Sequence, residues 1–273
     1  MQPTLFDIGR DPSPFYRWTG SKREYVPLLL AVLGSLRGRE FRECFLGSGA
    51  MALQVLCDRA ARRVVVNDSN PHLIATWTAL RDEPDRVLAL YREHRQRNSE
   101  AYYYEVRSQS PRKAAERAAR FLYLVGAGHC GLWRENRAGK MNVPFGHACE
   151  LFTSEAHLLD VVKLLQTPEL AITCGGFESL FENAAGVVIY ADPPYLPIDA
   201  TSFVAYGGKK FGPEEHRTLA GLAANCGATV AISNHDTPLA REIYAGATVL
   251  AMNASRGFNA PEGAQEAVFL YGT

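Results

Sequence analysis

Residues 22–36 carry apolar side chains at Tyr25, Leu28, Leu29, Val32, Leu33 and Leu36, the three-and-four spacing of a helix. Phe41–Leu46 is a short run that predicts a strand, and it ends in Gly47-Ser48-Gly49. A helix is expected from about Ala50 to Ala60, then a strand at Arg63–Val66 that closes on Asn67-Asp68. Asn70 suits a helix cap and Pro71 the first turn behind it. Strand, helix, strand, helix is the opening of an α/β fold with a parallel, doubly wound sheet.

The pattern returns late in the chain. Ala171–Cys174, Val187–Ala191, Ala228–Ser233, Thr248–Ala251 and Ala267–Tyr271 are continuous apolar runs, as strands buried on both faces require. Helical stretches at 176–184, 213–225 and 236–245 separate several of them, with Asp236 as a cap candidate for the last. The middle differs. Residues 84–127 are helical and studded with arginine, and 129–149 are rich in Gly, Asn and Arg, as in an ordered loop or hairpin. The expected organisation is therefore one α/β domain, 1–75 with 161–273, interrupted by an insertion at 76–160.

Composition changes this picture little. The 273 residues are 47% hydrophobic and 21% charged, which excludes global disorder. The N-terminal stretch lacks the apolar segment of a secretory signal, and no apolar run approaches the ~20 residues that span a bilayer. The six cysteines form no CxxC pair, so a structural zinc site is not expected and no metal is assigned. Reduced thiols in a cytoplasm are the expectation.

Two motifs carry chemistry. Gly47-Ser-Gly49-Ala-Met-Ala52 follows a strand and opens a helix, and Asp68 lies 19 residues after Gly49 at the end of the next strand. That is the fingerprint of a ribose-bearing cofactor, with glycines for close backbone approach and the acid for ribose hydroxyls. Nicotinamide dinucleotides and S-adenosylmethionine both fit it. Asp192-Pro193-Pro194-Tyr195, directly after a buried strand, decides between them. The prolines remove two N–H donors and stiffen the loop, leaving fixed carbonyls, an acid and an aromatic ring. This set matches a planar base with an exocyclic amine: carboxylate and carbonyl accept its two N–H groups, and the ring stacks on its face.

With these residues in view, the chain resembles the Dam-type (D12 class) DNA adenine-N6 methyltransferases from about Arg17 to Tyr271. The resemblance rests on Arg17-Trp-Thr-Gly-Ser-Lys22, Phe45-Leu-Gly-Ser-Gly49, Val66-Asn-Asp68, Gly131-Leu-Trp-Arg134, Asn142-Val-Pro-Phe-Gly146, Ala191-Asp-Pro-Pro-Tyr195 and Ser233-Asn-His-Asp236. It implies a class I, Rossmann-like methyltransferase sheet with an inserted, mainly helical target-recognition domain. It also implies S-adenosylmethionine contacts by Trp18, Lys22, Phe45, Gly47, Gly49, Asp68, Phe177 and Asp192, and catalysis by Asp192, Pro193, Pro194 and Tyr195. DNA contacts are implied for Leu132, Trp133, Arg134, Arg137, Lys140, Asn142 and Pro144, with Arg134 as a guanine reader and Leu132 inserting at the target step. The chain departs from the family at His129-Cys130 and at Ala148, so a GATC target is not implied. To the Ser233–Asp236 segment the sequence assigns no chemistry.

The activity this implies is direct methyl transfer from S-adenosylmethionine to N6 of an adenine flipped out of double-stranded DNA, leaving S-adenosylhomocysteine, with no metal. The expected enzyme acts as a monomer or weak dimer on DNA; a restriction partner is left open. Transfer to cytosine N4 or an RNA base, a silent DNA-binding regulator and a nicotinamide oxidoreductase are the competing readings. A formal charge of zero hides an asymmetry: residues 86–140 hold twelve basic and five acidic groups, whereas 141–273 hold six and fourteen. The basic excess falls in the segment expected to meet DNA.

Overall fold

The computed structural model describes residues 12–147, 152–198, 211–252 and 265–272. Its strands are β1 (Glu40–Glu43), β2 (Arg63–Asp68), β3 (Leu170–Cys174), β4 (Val188–Ala191), β5 (Thr229–His235), β6 (Thr248–Met252) and β7 (Glu266–Tyr271). Successive side chains alternate between two apolar layers. Val64 and Val66 of β2 join one hydrophobic cluster and Val65 the other; Val188 and Tyr190 of β4 are likewise opposed to Ile189 and Ala191. Both faces are covered, which is why the strands read as unbroken apolar runs.

The strands form one sheet in the order β3-β2-β1-β4-β5-β7-β6. β1 to β5 are parallel; β7 runs antiparallel to both β5 and β6. The expectation of a wholly parallel sheet is corrected at this end. The two outer strands, β3 with Thr173 and Cys174 exposed and β6 with Thr248 and Ala251 exposed, are not buried on both faces as expected. The chain reverses its direction of progress across the sheet between β1 and β4, and ligands bind α/β sheets outside the strand ends at such a switch point. The glycine loop leaves β1 there, and Asp192 leaves β4.

The helices are α1 (Val26–Leu33), α2 (Ala50–Cys57), α3 (Pro71–Asp82), α4 (Pro84–Gln96), α5 (Glu100–Ser108), α6 (Ala114–Ala127), α7 (Glu155–Leu165), α8 (Pro213–Asn225) and α9 (Pro238–Ile243). Asn70 caps α3 as expected, its Oδ1 accepting from the N–H groups of His72 and Leu73 at 3.0 and 3.3 Å. Asp236 does not cap α9. Thr237 does, through its Oγ and the Ala240 N–H at 3.1 Å, while Asp236 pairs with Arg241. The helix expected over 176–184 shrinks to one 3₁₀ turn at Glu178–Phe181. Gly175-Gly176 and the left-handed Asn183 bracket it and leave no length for more.

Helices α4–α6 occupy the middle of the chain, and α6 packs on both α3 and α4. Their buried side chains, including Tyr91, Tyr103, Phe121 and Tyr123, are continuous with the cluster on one face of the sheet. Cuts at 75/76 and 160/161 would run through α3 and α7. No described helix is long and apolar enough to cross a membrane.

Candidate active site

Gly47 and Gly49 both adopt left-handed backbone, at φ +47° and +71°. A Cβ on Gly49 would lie 2.2 Å from the Trp77 ring, and one on Gly47 would lie 3.1 Å from Trp18. The sequence is glycine here because two indoles press on the turn. Tyr16 completes the support: its hydroxyl donates to the Gly47 carbonyl at 2.5 Å and accepts from Trp77 Nε1 at 2.9 Å. Asp68 sits beneath the loop at the end of β2, where its Oδ2 accepts from Gly47 N–H and its Oδ1 from Asn70 N–H. Burial pushes the Asp68 carboxyl up, and the N–H groups of Asn70, Gly47 and Ser69 pull it back. Each oxygen keeps a lone pair for a further donor. Phe45 and Phe177 lie with ring centroids 5.5 Å apart and tilted by 31°, and Phe211 packs against both.

The second half of the site is the loop after β4. Asp192 lies 3.5 Å from the ammonium of Lys22, which is itself 3.7 Å from Glu266 and 4.7 Å above the ring of Tyr195. The Tyr195 hydroxyl donates to Glu266 at 3.0 Å. Burial acts to lower the Lys22 pKa, but Asp192 and Glu266 outweigh it and hold the ammonium charged. Burial raises the Asp192 carboxyl, opposed by Lys22. The Asp192 oxygen that faces Lys22, Oδ1, is buried and meets only that 3.5 Å ion pair, with no hydrogen bond among the described residues. A carboxylate oxygen with one loose cationic contact keeps a lone pair for a further donor. On the far side of the loop, Asn234 Oδ1 accepts from Leu196 N–H at 3.1 Å and His235 Nδ1 meets the Leu196 carbonyl at 3.0 Å. The Ser233-Asn-His segment therefore grips this loop.

Glu43 was not singled out in the sequence. It is 3% exposed at the end of β1 and accepts from Ala52 N–H at 2.9 Å. Burial pushes its carboxyl well up, helped by Asp192 and Asp68. The sequence offered little signal, because β1 reads Glu-Phe-Arg-Glu and one acid among three charged residues does not stand out. Asp68, Asp192 and Glu266 stand around the switch point with Lys22 as their one close cation, which leaves the potential there negative. A cofactor pyrophosphate would be repelled there, whereas a cationic cofactor is favoured. This distinguishes the two cofactors that the glycine fingerprint alone leaves level, and the donor set fits S-adenosylmethionine.

The segment from His129 to His147 starts as a 3₁₀ turn and continues as a hairpin-like loop, with bridges between Gly128 and Phe145 and between Glu135 and Met141. Trp133 is folded inward: its ring packs on Phe121 at 4.7 Å and His72 at 5.1 Å, and its Nε1 donates to Glu135. Leu132 is half-buried against the same cluster. Arg134, Arg137, Lys140 and Pro144 are exposed. The Arg134 Nε donates to Asn142 Oδ1 at 2.8 Å, so that pair is preformed. Ala148 and Cys149 lie outside the described residues.

Residues 18–258 match the profile of the D12 class N6 adenine-specific DNA methyltransferases. The chain is 30% identical over 255 residues to the Type II methyltransferase M1.LlaDCHI of Lactococcus lactis subsp. cremoris, covering 89% of this chain and 88% of the relative. It is 32% identical over 267 residues to the DNA adenine methylase of Escherichia coli K12, covering 93% and 92%. The chain belongs to the D12 class of N6 adenine-specific DNA methyltransferases.

The D12 match ends before Glu266 and begins after Tyr16. Two side chains that hold this methyltransferase's site together are thus outside the matched stretch. Glu266 was also invisible in the sequence, because it is the polar first residue of an apolar strand and reads as a strand boundary. Phe211 and His216 escaped for a similar reason, since an aromatic and a histidine next to a helix start have many structural uses.

Proposed function

We propose that this D12 methyltransferase transfers a methyl group from S-adenosylmethionine to N6 of an adenine turned out of duplex DNA, releasing S-adenosylhomocysteine. The observation that carries the reading is the buried Asp192 Oδ1, held charged by Lys22 and short of a hydrogen bond among the described residues, on a proline-stiffened loop at the switch point. When bound, the cofactor supplies an electrophilic methyl on a sulfonium. Asp68 would take its ribose hydroxyls, Phe45 and Phe177 its adenine, and the Gly47–Gly49 turn, with Trp18 against it, the close backbone approach.

On the substrate side, Asp192 Oδ1 and the Pro193 carbonyl accept the two N6 protons. These bonds push electron density onto a poor nucleophile and strengthen as positive charge develops, which is the differential stabilisation catalysis needs. Lys22 keeps Asp192 in its accepting, ionised form. It covers one face of Tyr195, and the base stacks on the other. The target base leaves the stack at a cost of about a few kcal/mol. Leu132 is the wedge candidate, since Trp133 is committed to the protein body. Arg134 with Asn142 is the reading pair; Arg137, Lys140 and Pro144 lie against the duplex. In this reading 76–160 is the target-recognition region and 1–75 with 161–273 the catalytic one.

The test is nucleoside mass spectrometry after incubation with DNA and S-adenosylmethionine. N6-methyladenine is expected, and Asp192→Ala should lower the rate by more than about 10-fold while still folding. N4-methylcytosine as the product, or an unimpaired Asp192→Ala, overturns the reading.

A further inference from the structure

Two consecutive prolines leave the catalytic loop with no N–H at positions 193 and 194. Only its carbonyls and its flanks can be gripped. The Leu196 end is held from β5 by Asn234 and His235. The Pro194 carbonyl is held from α8: His216 Nε2 lies 3.0 Å from it. The Pro193 carbonyl has no such partner among the described residues.

His216 has no exposed surface and stands in the first turns of α8. Its other nitrogen, Nδ1, is 2.5 Å from the hydroxyl of Tyr244. A carbonyl only accepts, so Nε2 carries the proton and Nδ1 offers a lone pair to the Tyr244 O–H. Burial agrees with this tautomer. It holds the imidazole pKa down to about 4 and pushes the Tyr244 phenol up, so the ring is neutral and the phenol is a donor. Tyr244 is fixed in turn by its ring contact with Phe269 of β7 at 4.8 Å, and Phe211 packs its edge on His216 at 4.8 Å.

We propose that His216 is a positioning residue for methyl transfer. Its Nε2–H, oriented by Tyr244, ties down the Pro194 carbonyl and so leaves the Pro193 carbonyl, with Asp192, aimed at the target amine. The proposal rests on the functional reading above and extends it to residues that touch neither cofactor nor base. A misplacement of about 1 Å in such a geometry costs on the order of 100-fold in rate.

Three variants separate this role from packing. Glutamine carries an amide nitrogen out to the Nε2 position, asparagine reaches only the Nδ1 position, and Tyr244→Phe removes the orienting hydroxyl. His216→Asn should lose about 30- to 100-fold in single-turnover rate while binding S-adenosylmethionine, measured by calorimetry, within about 2-fold of the unaltered protein. His216→Gln should restore most of that rate, and Tyr244→Phe should fall between. Long-range ¹H–¹⁵N spectra of the unaltered protein should show His216 as the Nε2–H tautomer at pH 7, whatever the variants do. An Nδ1–H tautomer overturns the proposal, as does His216→Asn at full rate or His216→Gln no better than His216→Asn. If the unaltered protein methylates no adenine, the functional reading fails instead, and the product analysis reports that separately.

Discussion

Lys22 stands between Asp192 and Glu266 and above Tyr195, so one side chain sets the charge state of the whole loop. Removing its charge in Lys22→Met lets the Asp192 pKa climb, because burial then acts unopposed. The acid limb of the pH–rate profile should move to higher pH, and an unmoved limb would show that Asp192 does not govern it. Glu43 gives a second pH signature. Its folded pKa is raised by burial, so its stabilising contribution is complete below the ordinary carboxylate range and fades as pH rises towards the folded value. Glu43→Gln keeps an acceptor for Ala52 N–H and has nothing to ionise. Thermal melts should show it gaining on the unaltered protein as pH rises above the ordinary carboxylate range. At this scale Asp68, Asp192 and Tyr195 were legible in the sequence, because Asp68 closes the strand after the glycine turn and Asp192 and Tyr195 flank two prolines just behind β4. Glu43, Glu266 and His216 were not, because their roles depend on which distant strand or loop lies alongside.

Elements were more legible than residues wherever local chemistry chose them. Asn70-Pro71 marked the start of α3, and the Pro213–Asn225 helix falls on its expected bounds. The failures were tertiary. Nothing in Ala267–Tyr271 states that it enters the sheet antiparallel between β5 and β6. The glycine turn is the element most exposed to a single change. Gly49→Ala combines about 1–2 kcal/mol for a left-handed side chain with about 1–3 kcal/mol for overpacking against Trp77. Denaturant melts should record a loss of roughly 2–5 kcal/mol from those two sources. Gly175→Ala, where nothing lies within 4 Å of the added carbon, is the matched control and should be near neutral.

For the whole molecule, the neutral total charge conceals a basic middle segment, but not all of that charge faces outward. Arg120 is buried and donates to the Val106 and Arg107 carbonyls, Arg107 is half-buried and reaches Val143, and Arg92, though exposed, is matched by Glu155. Arg137 and Lys140 are exposed on the reading loop. Each, changed to alanine, should lower the salt slope of DNA binding by about one, with cofactor affinity untouched. An unchanged slope would move the phosphate contacts elsewhere. The placement of β7 has a consequence for how the enzyme comes into being. β6 is synthesised before β7, yet in the sheet of the described residues it borders only β7, so it has no partner there until β7 arrives. That same strand delivers Glu266 to Lys22 and Tyr195. A growing chain therefore has its glycine loop and Asp-Pro-Pro-Tyr segment made while its ion cluster is still incomplete, and the site is assembled only once β7 has emerged.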